Sequence, residues 1–133
     1  MNYRHAFHAG NFADLVKHAA LLWVISRLQR EAGALRIIDT HGGSGLYDLR
    51  GPEAKRSGEA EAGVMRLMAA SDPPEEMSAL VAAVQAANDG GETVLYPGSP
   101  WLIAQALRAS DTYRVFEMQP DEHRRLSRLM AGR

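Results

Sequence analysis

The apolar run Leu35-Arg-Ile-Ile38, closed by Asp39 and opened at once into Thr-His-Gly-Gly-Ser-Gly45, constrains this chain more than any other segment. It predicts a short buried strand that ends on a carboxylate and runs into a glycine-rich loop. In an α/β sheet the loop after the first strand is where a nucleotide-like ligand is held. Glycines there let backbone N–H groups approach the ligand, because no Cβ stands between them.

The flanking sequence supplies helices and a few more strands. Asn11 is expected to cap a helix reaching about Arg30, with Asp14 in its first turn. Leu15, Ala19, Leu22 and Ile25 share one face of that helix, and Arg27, Gln29 and Arg30 end it on the solvent side. Gly33 breaks it before the strand. After the glycine loop, Tyr47-Asp-Leu-Arg-Gly-Pro52 reads as a turn, and residues 54–70 carry a helical face of Val64, Leu67 and Met68. Asp72 is expected to cap the next helix, with Pro73 at its first position and Met77, Leu80, Val81 and Val84 on its apolar side. Residues 93–96 are extended. Ser99 is read as the cap of a helix opened by Pro100 and reaching about Ala109. Residues 112–116 alternate as a strand that stops at Glu117, and Pro120 and Asp121 open a last, basic helix through Leu129. The order predicts one α/β domain with a helical insertion over residues 50–93.

Bulk properties exclude several classes. With 46% apolar residues in 133, the chain can bury a core. A net charge of −1 gives no global attraction for nucleic acid, so an RNA-binding role needs a local basic patch. The absence of cysteine removes disulfides, thiolate zinc sites and thiol catalysis. The longest apolar run, Ala19 to Ile25, is too short to span a bilayer and makes a poor signal peptide. A cytoplasmic protein without a membrane role is expected.

Glu117 is the second chemical anchor. A carboxylate at the end of the strand that follows a glycine loop suits a ribose, because it accepts two hydrogen bonds from a vicinal diol. Its distance from the loop far exceeds the usual ~20 residues, which requires the helical insertion to lie between them. The plainer alternative is a surface glutamate. His5 and His8 have metal-ligand spacing but lack cysteine or clustered carboxylates, so no metal is expected and hydrogen-bonded or exposed histidines are the simpler reading. The glycine stretch lacks the Gly-Lys-Ser/Thr ending of a phosphate loop, and Asp48 stands where a dinucleotide loop needs its third glycine. Ser99 is no nucleophile elbow. Tyr3, Arg4, His5, Phe7 and His8 mix basic and aromatic groups on an irregular terminus, which suits stacking on unpaired bases as well as plain fraying.

Asp39 with Gly43-Ser-Gly45 looks like the first motif of S-adenosylmethionine-dependent methyltransferases. Together with Tyr3-Arg-His-Ala-Phe-His-Ala-Gly-Asn-Phe-Ala-Asp14, Lys17-His18, Tyr96-Pro-Gly-Ser-Pro100 and Glu117, it resembles the bacterial 23S ribosomal RNA (adenine-2030-N6)-methyltransferase family over the whole chain. The resemblance implies a Rossmann-like methyltransferase fold with an inserted helical subdomain at 50–93. It implies S-adenosylmethionine as cofactor, contacted by His18, His41, Ser99 and Glu117 alongside Gly43 and Gly45. It also implies that the tail of residues 1–10, with Tyr3, Arg4 and His5, closes over the cofactor and reaches 23S ribosomal RNA. One departure stands out. Such enzymes orient the amino group with Asp-Pro-Pro-Tyr after a later strand. The only Asp-Pro-Pro here, at residues 72–74, precedes Glu75 and opens a helix. No catalytic residue is therefore expected in this chain, which reads as the cofactor-binding half of an enzyme whose C-terminal half is missing. Self-association, or a partner supplying that half, is the consequence. A non-catalytic module binding S-adenosylmethionine or RNA, or an inactive fragment, is the alternative.

Overall fold

A computed structural model describes residues 3–31 and 33–132. Met1 and Asn2 of the expected tail lie outside the described residues. The architecture is a mixture of helices and short strands. Helix α1 (Phe12–Glu31) is capped as expected: the Asn11 side chain accepts the Asp14 N–H at 2.8 Å. Strand β1 (Arg36–Asp39) pairs in parallel with β4 (Thr112–Val115), in a register running from Arg36↔Thr112 to Asp39↔Val115. The glycine loop and Glu117 thus emerge from the same end of one parallel pair.

A strand appears where a turn was expected. Strand β2 (Leu46–Asp48) pairs antiparallel with β3 (Leu95–Pro97), opposite residues far along the chain. No local pattern announces such a partner. The helix expected over 54–70 is broken. Helix α2 (Pro52–Ser57) stops at Gly58, which adopts a left-handed conformation, and a wide turn over Glu61–Met65 kinks at Gly63 before α3 (Arg66–Ala69). Asp72 and Pro73 do not start a helix. They lie in an irregular link, and the chain turns into a single 3₁₀ turn at Glu75–Met77 before α4 (Ser78–Ala87). Helix α5 (Ser99–Ala106) has Gly98, not Ser99, at its cap. It stops short of Ala109 because the Arg108 N–H is taken by the Asp111 carboxylate at 2.9 Å. Helix α6 (Pro120–Ala131) closes the chain, with the Gln119 side chain accepting the Glu122 N–H.

The core lies between α1, the kinked turn, α4 and α5, beneath the β2–β3 pair. Leu15, Tyr47, Val64, Leu80, Val84, Tyr96, Trp101 and Leu102 are its centre. Gln29, expected to face solvent, is half-buried instead. Its amide donates to the Ala106 carbonyl and to Asp111, tying the end of α1 to the α5–β4 link. By contrast, one face of the β1–β4 pair is open, with Ile38 and Phe116 more than half exposed. The outer side of α1 shows Phe12, Val16 and Trp23. Among the described residues, no helix is long and apolar enough to cross a membrane.

Gly63 tests this packing. A Cβ there would meet the Gly10 carbonyl oxygen and come within 3.0 Å of the Asn11 Cα, backbone atoms that cannot swing aside. The Val64 N–H also donates to that Gly10 carbonyl at 2.8 Å. Gly63→Ala is expected to destabilise the chain by about 2–4 kcal/mol. Gly33→Ala, where nothing lies within 4 Å, should be neutral or stabilise by up to ~1 kcal/mol. Urea unfolding of both variants checks the pair. Equal effects would contradict this account of the kink.

Candidate functional site

The end of the β1–β4 pair opens into a cavity of about 710 Å³. Tyr3, Arg4, His5, Lys17, His18, His41, Gly43, Ser99 and Glu117 line it. Residues scattered over more than a hundred positions therefore meet in one place, and eight of the nine expected site residues lie on its wall. Gly45 does not. It is buried, its φ is +84°, and an added Cβ would come within 2.6 Å of Leu129 on α6. Its carbonyl accepts the Gly98 N–H at 2.9 Å. The glycines make room for the protein itself as much as for a ligand. A Cβ on Gly42 would collide with Val115, and one on Gly43, at φ +67°, with the Tyr47 hydroxyl.

Two carboxylates hold the loop. Asp39, at the end of β1, accepts hydrogen bonds from the Ser99 hydroxyl at 2.7 Å, the Tyr113 hydroxyl at 3.1 Å and the His41 N–H at 3.1 Å. Ser99 is thus a link from α5 to the strand end rather than a helix cap. Glu117 accepts the Gly43 N–H at 2.9 Å and the Gln119 N–H at 2.7 Å, one on each oxygen. Tyr113 and Tyr47 are both pushed well above the usual phenol range, chiefly by burial. Both therefore keep their hydroxyl protons: Tyr113 donates to Asp39, and the Tyr47 oxygen accepts the Ser44 N–H at 3.1 Å.

The tail forms one wall. A turn of 3₁₀ helix at His5–Phe7 replaces the irregular terminus expected there. The Tyr3 ring stacks on His8 at 5.5 Å, and His8 pairs with Glu59 at 2.6 Å. His5 pairs with Asp14 at 2.6 Å and meets the edge of Tyr47. Arg4 reaches Asp121 on α6 at 3.4 Å, and the Ser57 hydroxyl donates to the Phe7 carbonyl. The histidines thus serve as hydrogen-bonding anchors. Among the described residues no group of His, Cys, Asp and Glu could hold a metal ion.

Sequence reasoning missed Tyr47, Met118, Gln119 and Glu122 as lining residues. Met118 is 98% exposed and Glu122 only 5%. An acid in the first turn of a helix reads as ordinary capping chemistry, so Glu122 carried no distinguishing signal.

His18 and Asp14 lie buried behind the tail. Burial pushes the His18 imidazole down to about 4, with the Asp14 charge opposing it. Its Nδ1 shares a hydrogen bond of 2.7 Å with the Tyr96 hydroxyl. Burial raises the Asp14 carboxyl, but the hydrogen bond and charge of His5, helped by His18 and Lys17, outweigh it and hold it at about 2. The folded His18 binds its proton later than an unfolded imidazole, whose ordinary value is about 6.5. Its contribution is therefore full above that value and is lost as pH falls toward about 4. The loss amounts to about 3 kcal/mol, and below it the Asp14 contribution disappears as pH falls from ~3.8 toward 2. Urea midpoints between pH 7 and 4.5 should fall steeply in the wild type and less in His18→Gln. Identical slopes would contradict the buried neutral imidazole.

Comparison with known proteins supplies the relatives. The family described as Ribosomal RNA large subunit methyltransferase D, RlmJ, matches residues 32–133. The Ribosomal RNA large subunit methyltransferase J of Escherichia coli (strain K12) is 36% identical over 123 residues, which are 92% of this chain and 44% of that protein. Its namesake in Haemophilus influenzae is 35% identical over 124 residues, again 44% of its length. A crystal structure of a Legionella pneumophila protein superposes with a TM-score of 0.82 at 29% identity, covering 90% of this chain and 44% of that one. The chain thus spans less than half the length of these relatives. With a family match running from the β1 strand through α6, the chain belongs to the RlmJ family of ribosomal RNA large subunit methyltransferases.

Proposed function

We propose that this chain is the methyl-donor-binding part of an S-adenosylmethionine-dependent methyltransferase acting on an adenine N6 of 23S ribosomal RNA. One observation carries the reading: the glycine loop, His41, Ser99 and Glu117 converge on a single cavity of about 710 Å³. That volume falls within the roughly 300–1,000 Å³ of sites that enclose small ligands. The donor set also fits. Glu117 spends one lone pair of each oxygen on a backbone N–H, leaving lone pairs on the same carboxylate for the two ribose hydroxyls. His18, His41, Gly43 and Ser99 would hold the rest of the molecule, and Gly45 would support them from beneath by seating α6. Bound there, the donor supplies a methyl group activated by a sulfonium.

Tyr3, Arg4 and His5 stand at the cavity on the tail, where basic and aromatic groups would meet the RNA phosphates and the target base. The tail would act as the lid over the donor. The segment 50–93 is read as a helical insertion into a Rossmann-like fold. The open face of the β1–β4 pair and the outer stripe of α1 are read as surfaces for the rest of that fold, from a partner or through self-association. Asp72 is exposed and lies outside the cavity, which supports reading it as a link residue and not as part of an Asp-Pro-Pro-aromatic motif. The chain is therefore expected to bind the donor without transferring its methyl group. The absence of that motif also favours the second reading, a non-catalytic binding module.

Glu117→Ala removes the diol acceptor. It should weaken S-adenosylhomocysteine by about 1.5–3 kcal/mol in calorimetry. Unchanged affinity would refute the ribose role. A tritium-transfer assay on unmodified ribosomal RNA separates binding from chemistry: no turnover by the 133-residue chain is expected, and robust turnover lost in Asp72→Ala would overturn the dismissal of residues 72–75.

A further inference from the structure

Two carboxylates line the cavity, and they are compensated differently. Both oxygens of Glu117 accept backbone N–H groups. Glu122 is more deeply buried, with 5% of its surface exposed. The Ser44 hydroxyl donates to its Oε2, and among the described residues nothing donates to its Oε1. No Lys, Arg or His forms an ion pair with it among the described residues. The cations nearest the cavity are engaged elsewhere: Arg4 with Asp121 and Lys17 with Asp14. Withdrawing a carboxylate from water is costly unless a cation or several hydrogen bonds replace the solvent. The first turn of α6 offsets part of that cost through its positive end. No buried side-chain oxygen among the described residues lacks a partner, so the undonated Oε1 is left accessible at the cavity that Glu122 lines.

We infer that Glu122 binds the cationic end of the ligand and makes this cavity prefer a positively charged ligand over a neutral one of the same shape. Ser44 is a positioning residue, anchoring Oε2 so that Oε1 is left for the ligand. The inference rests on the donor-binding reading above, in which the ligand carries a sulfonium and an ammonium. Together the two acids divide the work: Glu117 takes hydroxyls at the strand end, and Glu122 takes charge at the helix end.

Calorimetric titration of the full chain with three ligands separates charge from shape. S-adenosylmethionine carries sulfonium and ammonium, S-adenosylhomocysteine only the ammonium, and 5′-methylthioadenosine neither cation. In Glu122→Gln, which keeps the side chain's size and its bond to Ser44, affinity for S-adenosylmethionine should fall about tenfold or more. Affinity for 5′-methylthioadenosine should change less than about twofold. The behaviour of S-adenosylhomocysteine then assigns the contact: a loss like that of the methyl donor marks the ammonium, and a response like that of the neutral ligand marks the sulfonium. Equal losses for all three ligands make Glu122 a structural support, and no loss for any makes its charge irrelevant; either result overturns the inference. Should Glu122→Gln fail to fold, Ser44→Ala replaces it. Releasing the carboxylate should lower the charged-to-neutral affinity ratio about threefold or more, and an unchanged ratio overturns the inference. Wild-type chain that binds none of the three refutes the donor-binding reading itself, a result distinct from any above.

Discussion

The Asp39 carboxylate is the junction on which the rest of the site depends. It stands where β1 ends, and it accepts from α5 through Ser99, from β4 through Tyr113 and from the loop through His41. Four elements are fixed by one charged acceptor, and hydrogen bonds to a charged group are about twice as strong as neutral ones. Glu117 completes the arrangement from the parallel neighbour by holding Gly43. The loop is thus suspended between two acids at the same end of a strand pair, and the cavity is the space they enclose. Glycine is needed because the loop is also pressed against Val115, Tyr47, Leu126 and Leu129, leaving no room for side chains at residues 42, 43 and 45.

Features written in short stretches were legible from the sequence. The strand before the glycine loop, the Asn11 cap and the strand running toward Glu117 all rest on neighbouring residues, although the first was expected to be buried and alternate residues of it are exposed. Features made by distant partners were not. Strand β2 looks like a turn because its pairing partner lies beyond three helices, at Leu95–Pro97. The start of β3 is set by Asn88. Its side chain accepts the Val94 and Leu95 N–H groups and donates to the Val84 and Leu95 carbonyls, joining the end of α4 to the strand. As a loop residue in a sequence, Asn88 announces only the end of a helix. Glu122 is the same case in the site: its hydrogen-bond partner Ser44 lies on the far side of the helical segment.

Packing is distributed unevenly over the molecule. The helical segment, α1 and α5 close around Val64, Leu80, Val84 and Leu102, all 1% exposed or less. The strand pair that carries the loop is covered on one face only, leaving Ile38 and Phe116 open. The lining residues at the end of that pair are held by hydrogen bonds that do not involve the open face.

The central claim is that the cavity at the end of the β1–β4 pair holds the methyl donor. Backbone amide NMR shifts of the chain titrated with S-adenosylhomocysteine test it most directly. The account predicts saturable shifts concentrated at Gly42, Gly43, Ser99 and Glu117 to Gln119, with the helices over Pro52–Ala87 little affected. Saturable shifts centred on those helices, or none at all at millimolar ligand, would contradict it.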